Sequence, residues 1–109
     1  MQNKEILHYT KLPIYEMRVN LHGSGCTPIQ FLTLLVAYHE NVISSYFMCK
    51  INLAGKNSSI SVLRTLKKKG LIEETEKSPK GYKKYKITSD GIECVTGLYH
   101  KIFSRSTLH

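Results

Sequence analysis

Residues 44–70 constrain the fold of this chain more than any other stretch, because they predict two helices joined by a tight turn. The first helix is expected over residues 45–52 and is capped by Ser44. Its apolar face carries Phe47, Met48 and Ile51. Gly55 allows the sharp turn after it, and a second helix is expected from Ser58 to Lys69, ending at Gly70. The residues predicted to point inward from the second helix are Ile60, Val62, Leu63 and Leu66.

The outward face of the second predicted helix is polar and partly cationic. At helical spacing it carries Ser58, Ser59, Ser61, Arg64, Thr65 and Lys68. Small hydroxyl residues near a helix start permit close approach to base edges in a DNA major groove. Arg64 could bond a guanine, and Lys68 could lie near a phosphate. The alternative is a solvated helix face without a ligand.

A β-hairpin is expected after Gly70. Residues 71–76 and 82–88 predict its two strands, and residues 77–81 have the composition of a turn. Tyr85 and Ile87 alternate with Lys84 and Lys86, so one side of the second strand should be apolar and the other basic. Ser89 or Asp90 should cap a further helix.

Two short motifs in this region resemble those of winged helix-turn-helix regulators of the MarR and PadR types. Residues 66–72 (LKKKGLI) resemble the family's Leu-x-x-x-Gly-Leu-Ile helix exit, and residues 87–91 (ITSDG) are similar to its Leu-Thr-x-x-Gly re-entry. The resemblance spans about residues 27–103. It implies a mainly α fold with a small β-hairpin (α+β), a winged helix-turn-helix with a C-terminal dimerisation helix. MarR-type wings usually carry an Asp-x-Arg pair, whereas residues 79–83 read PKGYK here.

Charge is concentrated on the helix and hairpin. The chain of 109 residues carries a formal net charge of +8, and residues 56–86 contain ten cations against three anions. This clustering favours a polyanionic partner, because cations placed on phosphates release condensed counterions. The alternative is a basic face that serves solubility.

The remainder of the chain is organised around this unit as a single domain. Residues 1–26 are expected to pack on the core or on a partner subunit, with residues 13–21 open to either a helix or a strand. Residues 27–88 form the predicted DNA-binding domain. Its first helix is marked by a capping box of Thr27 and Gln30 around Pro28, runs to about His39 and is mostly enclosed, with Tyr38 widening its apolar face. By the same resemblance, residues 42–43 are expected to add a short strand to the hairpin.

Residues 89–109 predict a last helix, which by resemblance is a dimerisation device, and a disordered tail at residues 105–109. The predicted dimer interface consists of Ile92, Val95, Leu98, Tyr99 and Ile102. The alternative is that this stripe packs only on its own domain.

The sequence gives little support for catalysis or for metal binding. Asp90 is the only aspartate, no carboxylate pair or phosphate-binding loop is evident, and the chain is not expected to be an enzyme or to need a cofactor. Metal sites that pair His39 with Cys49, or Cys94 with His100, lack the spacing of ligand motifs, so none is predicted. Cys49 could be a redox switch if exposed, although a core position is typical of such a cysteine. Three separated cysteines and the lack of a secretory leader or membrane span indicate a cytoplasmic protein.

The resulting hypothesis is a sequence-specific regulator of transcription that binds double-stranded DNA. It would act as a homodimer on a palindromic operator and repress by occluding a promoter; any small-molecule effector is unknown. Bases would be read by Ser58, Ser59, Ser61, Arg64 and Thr65. The backbone or minor groove would be held by Lys56, Asn57, Lys68, Lys80, Gly81, Tyr82 and Lys83. The alternative is a winged-helix interaction module that docks an acidic protein, or binds DNA without reading sequence, in a replication or mobile-element complex.

Overall fold

The computed structural model describes residues 25–75, 81 and 83–107, with residues 102–107 described as helical backbone only. The elements in these residues are α1 (Pro28–Glu40), α2 (Ser45–Lys50), α3 (Lys56–Lys68), β1 (Ile72–Glu74), β2 (Tyr85–Ile87) and α4 (Ser89–Thr107). The expectations for residues 1–24, most of the hairpin turn and the last two residues lie outside the described residues. None of the described helices is both long enough and apolar enough to cross a membrane.

Helix α1 begins as predicted and forms the centre of the core. Thr27 Oγ1 accepts a hydrogen bond from the Gln30 N–H, and Gln30 Oε1 accepts one from the Thr27 N–H, both at 3.3 Å. The capping box is therefore confirmed. The buried residues of the helix are Phe31, Thr33, Leu34, Leu35, Val36 and Ala37. Tyr38, predicted to widen the buried face, is instead 42% exposed.

The turn between α2 and α3 differs from the prediction. Ser44 caps α2 as expected, with its Oγ accepting from the Phe47 N–H at 3.1 Å, but the helix ends two residues early. The left-handed residue in the turn is Asn52, with φ of 58°, whereas Gly55 has an ordinary φ of −70°. Asparagine adopts left-handed backbone more readily than most residues. Gly55 is therefore the N-cap of α3, which begins two residues earlier than predicted.

The end of α3 confirms the role predicted for Gly70. Its φ is 77°, its N–H donates to the Lys67 carbonyl at 2.9 Å, and the Leu71 N–H donates to the Leu66 carbonyl at 3.0 Å. This pair of bonds is a Schellman motif, which satisfies carbonyls that the helix leaves open. The chain consequently leaves α3 directly into β1.

The two strands form an antiparallel hairpin that is shorter than predicted. Ile72 lies opposite Ile87, and Glu74 lies opposite Tyr85. The short strand expected at residues 42–43 is confirmed as a single bridge. The Ile43 N–H donates to the Tyr85 carbonyl, and the Tyr85 N–H donates to the Ile43 carbonyl, both at 2.8 Å. The hairpin is thus fixed to the loop that precedes α2.

Helix α4 is capped by Thr88 and not by the predicted Ser89 or Asp90. Thr88 Oγ1 accepts from the Gly91 N–H at 3.0 Å and donates to the Gly70 carbonyl at 2.7 Å. One hydroxyl thereby joins the start of α4 to the exit of α3. The helix continues to Thr107, so the predicted disorder is wrong for residues 105–107.

The predicted dimerisation stripe on α4 is divided between core and surface. Val95 is only 1% exposed and belongs to the core of its own chain, so its assignment to a dimer interface is wrong. Leu98 is half-buried against the same core. Ile92 and Tyr99 are exposed, at 39% and 42%, whereas the side chain of Ile102 lies outside the described residues. Val95 faces inward because α4 packs along α1.

Candidate nucleic-acid interface

The outward face of α3 carries most of the polar side chains that the sequence placed there. The exposed ones are Lys56, Asn57, Ser58, Ser61, Arg64 and Lys68. Thr65 is half-buried, and its Oγ1 donates to the Ser61 carbonyl at 3.0 Å. Its hydroxyl proton is therefore used within the helix.

Ser59 does not belong to this face. It is fully buried, its Oγ donates to the Ala54 carbonyl at 3.2 Å, and it lies 4.0 Å from the Cys49 sulfur. Helices α2 and α3 pack against each other here, and the small hydroxyl side chain is enclosed where they meet. The prediction that Ser59 reads a base is therefore wrong.

Ile60 replaces Ser59 at the surface. It was predicted to point inward, yet it is 36% exposed, whereas Leu63 and Leu66 are buried as expected. Its side chain lines the cleft between α3 and the hairpin. An isoleucine in this position could contact the C5-methyl group of a thymine.

The cleft between α3 and the hairpin has a volume of about 590 Å³ and is strongly basic. Its lining residues are Ser45, Lys56, Ile60, Leu63, Arg64, Lys67, Glu74, Gly81, Lys83 and Tyr85. Four of these side chains are cationic and only one is anionic, so the cleft attracts an anion. Lys67 and Glu74 were not among the predicted site residues, although Lys67 follows Arg64 by three positions and therefore shares its side of the helix.

Glu74 joins the two walls of this cleft. Its Oε1 lies 2.7 Å from Nζ of Lys67 on α3 and 3.7 Å from Nζ of Lys83 beside β2. The hydrogen bond with Lys67 lowers the pKa of the Glu74 carboxyl and raises that of the Lys67 ammonium. On the other side of the hairpin, Lys86 and Glu73 form a separate pair at 3.3 Å.

The tip of the hairpin is described only at Gly81 and Lys83. Gly81 is exposed and has φ of 88°, a value that favours glycine, and Lys83 is exposed as expected. The predicted contacts of Lys80 and Tyr82 lie outside the described residues.

One cation of the basic segment is directed elsewhere. Nζ of Lys69 donates to Gln30 Oε1 at 3.0 Å and to the Gly25 carbonyl, so it is held at the start of α1.

Two of the three cysteines, Cys26 and Cys94, are neighbours in the fold although they lie far apart in sequence. Burial raises the pKa of the Cys94 thiol, and the neighbouring Cys26 thiol adds to this effect. Within the described residues, no group of three or more His, Cys, Asp or Glu side chains could hold a metal ion.

Comparisons of sequence identify no relative, since no family model and no curated protein match the chain. Comparisons of structure do. A mutant MarR from E. coli complexed with operator DNA is similar with a TM-score of 0.72 at 17% identity, over 94% of this chain and 74% of that one. YusO from Bacillus subtilis gives 0.75 at 15% identity, over 95% and 70% of the two chains. A Mycobacterium tuberculosis MarR family protein in complex with salicylic acid gives 0.71 at 15%, over 94% and 76%.

The superimposed part includes nearly all of this chain, and the elements agree in kind with the predicted ones: mainly helices, with one small antiparallel hairpin. At identities this low the likeness concerns the fold, and it confirms the predicted fold class. The chain therefore has the winged-helix fold of the MarR-family proteins.

Proposed function

We propose that this chain is a sequence-specific, double-stranded DNA-binding regulator of transcription. The observation that carries the proposal is the joint surface of α3 and the hairpin. Exposed hydroxyl, amide and guanidinium groups lie along the helix, and a basic cleft separates it from the wing. Helix α3, the cleft and the basic hairpin together suit a DNA major groove and the backbone that flanks it.

The roles of individual residues follow from their exposure. Ser58, Ser61 and Arg64 would read base edges, with Ile60 added to them and Ser59 removed. Lys56, Asn57, Lys68 and Lys83 would hold phosphates, together with Lys80, Gly81 and Tyr82 at the wing tip. Thr65 contributes its methyl group, since its hydroxyl proton is directed to the Ser61 carbonyl.

The proposal includes a homodimer, cytoplasmic location and repression by promoter occlusion. Exposed Ile92 and Tyr99 on α4 supply apolar surface for a second copy. A two-fold axis would place two half-sites about one helical turn apart, which gives a palindromic operator. One protein of this fold is complexed with operator DNA and another with salicylic acid. A small-molecule effector of unassigned chemistry is therefore part of the proposal.

Selection of bound sequences from a random duplex library tests the proposal. The expected result is an inverted repeat bound on the order of a thousandfold more tightly than random duplex at physiological salt. Comparable affinity for every sequence would contradict it. That result would favour the alternative, a winged-helix interaction module that does not read sequence.

Two substitutions test the assigned roles. Arg64→Ala should cost about 1–3 kcal/mol and relax the preference at one position of the selected site. Lys83→Ala should weaken binding to all sequences alike and reduce the salt slope by about one. Wild-type affinity and salt slope in both variants would refute the assignment.

A further inference from the structure

We propose that Glu74 is a positioning residue that fixes the wing against α3, so that both contact the duplex in one register. This inference rests on the proposed function, because it concerns how that DNA-binding surface gains specificity. Glu74 itself touches no base in this scheme. It acts through Lys67 of α3, on the opposite wall of the cleft, whereas Lys83 lies on the same hairpin as Glu74.

The geometry supports a bridging role. A single carboxylate oxygen, Glu74 Oε1, lies within 2.7 Å of Nζ of Lys67 and 3.7 Å of Nζ of Lys83. Lys67 belongs to the last turn of α3, and Lys83 lies two residues before β2. The carboxylate therefore links the hairpin to helix α3.

Strand alternation explains why this carboxylate, and not its neighbour, reaches the helix. Successive side chains of a strand point to opposite faces. Ile72 is buried against the core, so Glu74, two residues later, lies on the face directed to α3. Glu73 points the other way and pairs with Lys86, directly opposite on β2. Two adjacent glutamates thus form ion pairs on opposite faces of one hairpin, and only one of them reaches α3.

The charge of Glu74 is unfavourable for DNA binding as such. A carboxylate in a cleft that faces phosphates repels them and neutralises part of the attraction of Lys67 and Lys83. Its net effect on binding to random duplex should therefore be negative. A wing held at a fixed separation from α3 instead favours the one sequence whose groove fits both elements. Glu74 is expected to raise the ratio of specific to non-specific affinity, and not affinity in general.

The experiment compares Glu74→Gln, Glu74→Asp and the control Glu73→Gln in the full chain. Each variant is titrated against the selected operator and against random duplex at several salt concentrations, after circular dichroism has shown that it is folded. Glu74→Gln removes the charge, whereas Glu74→Asp keeps the charge and shortens the reach. Glu73→Gln removes the same charge one residue away, on the face of the hairpin that does not meet α3.

The expected result is that both Glu→Gln variants bind random duplex more tightly than wild type. Only the two Glu74 variants should lose specificity, by roughly tenfold in the ratio, since a misplaced wing forfeits about one base-pair's worth of discrimination. A charge effect alone would leave Glu74→Asp like wild type and would make the two Glu→Gln variants equal. Either of these outcomes overturns the positioning role.

Failure of the proposed function gives a different result. In that case wild-type protein itself shows no preferred sequence, before any variant is measured, and the positioning role falls with it. A wild-type protein that reads an operator, with Glu74 variants that retain the full ratio, refutes only the inference about Glu74.

Discussion

Gly91→Ala should destabilise this protein strongly, although alanine is normally the better helix residue. A Cβ atom built on Gly91 lies 2.1 Å from the Leu71 carbonyl oxygen and 2.6 Å from Cγ1 of Ile87. The first of these neighbours is a backbone atom at the exit of α3, which cannot rotate away as a side chain could. The start of α4 must therefore withdraw from the α3 exit.

The magnitude follows from the bonds that this withdrawal disturbs. The Thr88 N–H donates to the Leu71 carbonyl at 3.1 Å, and Thr88 Oγ1 donates to the Gly70 carbonyl at 2.7 Å. Loss of these two bonds costs about 1 kcal/mol each. Overpacking adds about 1–3 kcal/mol. The helix propensity of alanine returns about 1 kcal/mol, so the expected net loss in the free energy of unfolding is about 2–4 kcal/mol.

Gly97→Ala is the matched control, because it makes the same change on the same helix. A Cβ at Gly97 has no neighbour within 4 Å. This variant should gain about 0.5–1 kcal/mol from helix propensity and a less flexible unfolded chain. Urea unfolding followed by circular dichroism gives both values from the midpoint and slope. A Gly91→Ala protein as stable as wild type, or stabilised like Gly97→Ala, would refute the close contact on which the reasoning depends.

Ser59→Ala should lower the free energy of unfolding by about 1 kcal/mol without altering operator affinity. Exposed Ser61→Ala should instead lower operator affinity without altering the free energy of unfolding. Urea unfolding and DNA titration measure the two quantities. The pKa of the Glu74 carboxyl, measured by NMR titration, should lie below its ordinary value of 4.5 and rise toward it in Lys67→Gln. Because this pKa is lowered by folding, the pair contributes stability above the ordinary carboxyl pKa and loses it as pH falls through the lowered one; a midpoint at or above 4.5 would contradict the bridge. Ile60→Ala should lose discrimination between thymine and uracil at one operator position, since uracil lacks the methyl group, and an unchanged preference at every thymine would exclude the contact.

Local signals in the sequence predicted those parts of the fold that local hydrogen bonds determine. The capping box at Thr27, the Ser44 cap and the left-handed Gly70 each involve residues within a few positions of one another, and each is confirmed. Short-range signals predicted the wrong N-cap for α4, where a residue distant in sequence also takes part. Thr88 caps α4 in preference to Ser89 or Asp90 while its hydroxyl also bonds the Gly70 carbonyl, which lies 18 positions earlier in the chain.

The surface of α3 could not be predicted from hydrophobicity alone, because both Ser59 and Ile60 are compatible with a stripe through Leu63 and Leu66. Ile60 precedes these leucines by three and six residues, and Ser59 by four and seven. Apolar character favours Ile60 for the core. The packing of α2 against α3 decides otherwise, since it encloses the small side chain of Ser59 and gives its hydroxyl an acceptor at the Ala54 carbonyl.

The orientation of α3 about its own axis, which buries Ser59, also makes the Lys67–Glu74 ion pair possible. Seven residues of an α-helix fall only about 20° short of two full turns, so residues at i, i+4 and i+7 share a face. Ser59, Leu63 and Leu66 form one such face, which is buried; Ile60, Arg64 and Lys67 form the next, which lines the cleft. Had Ile60 been the centre of the core, Arg64 and Lys67 would have been drawn toward it at the cost of burying two charges. The sequence shows this cost, because Arg64 and Lys67 lie four and seven residues after Ile60. The cost disfavours an inward Ile60, and the outward orientation of this face places the Lys67 ammonium within reach of Glu74.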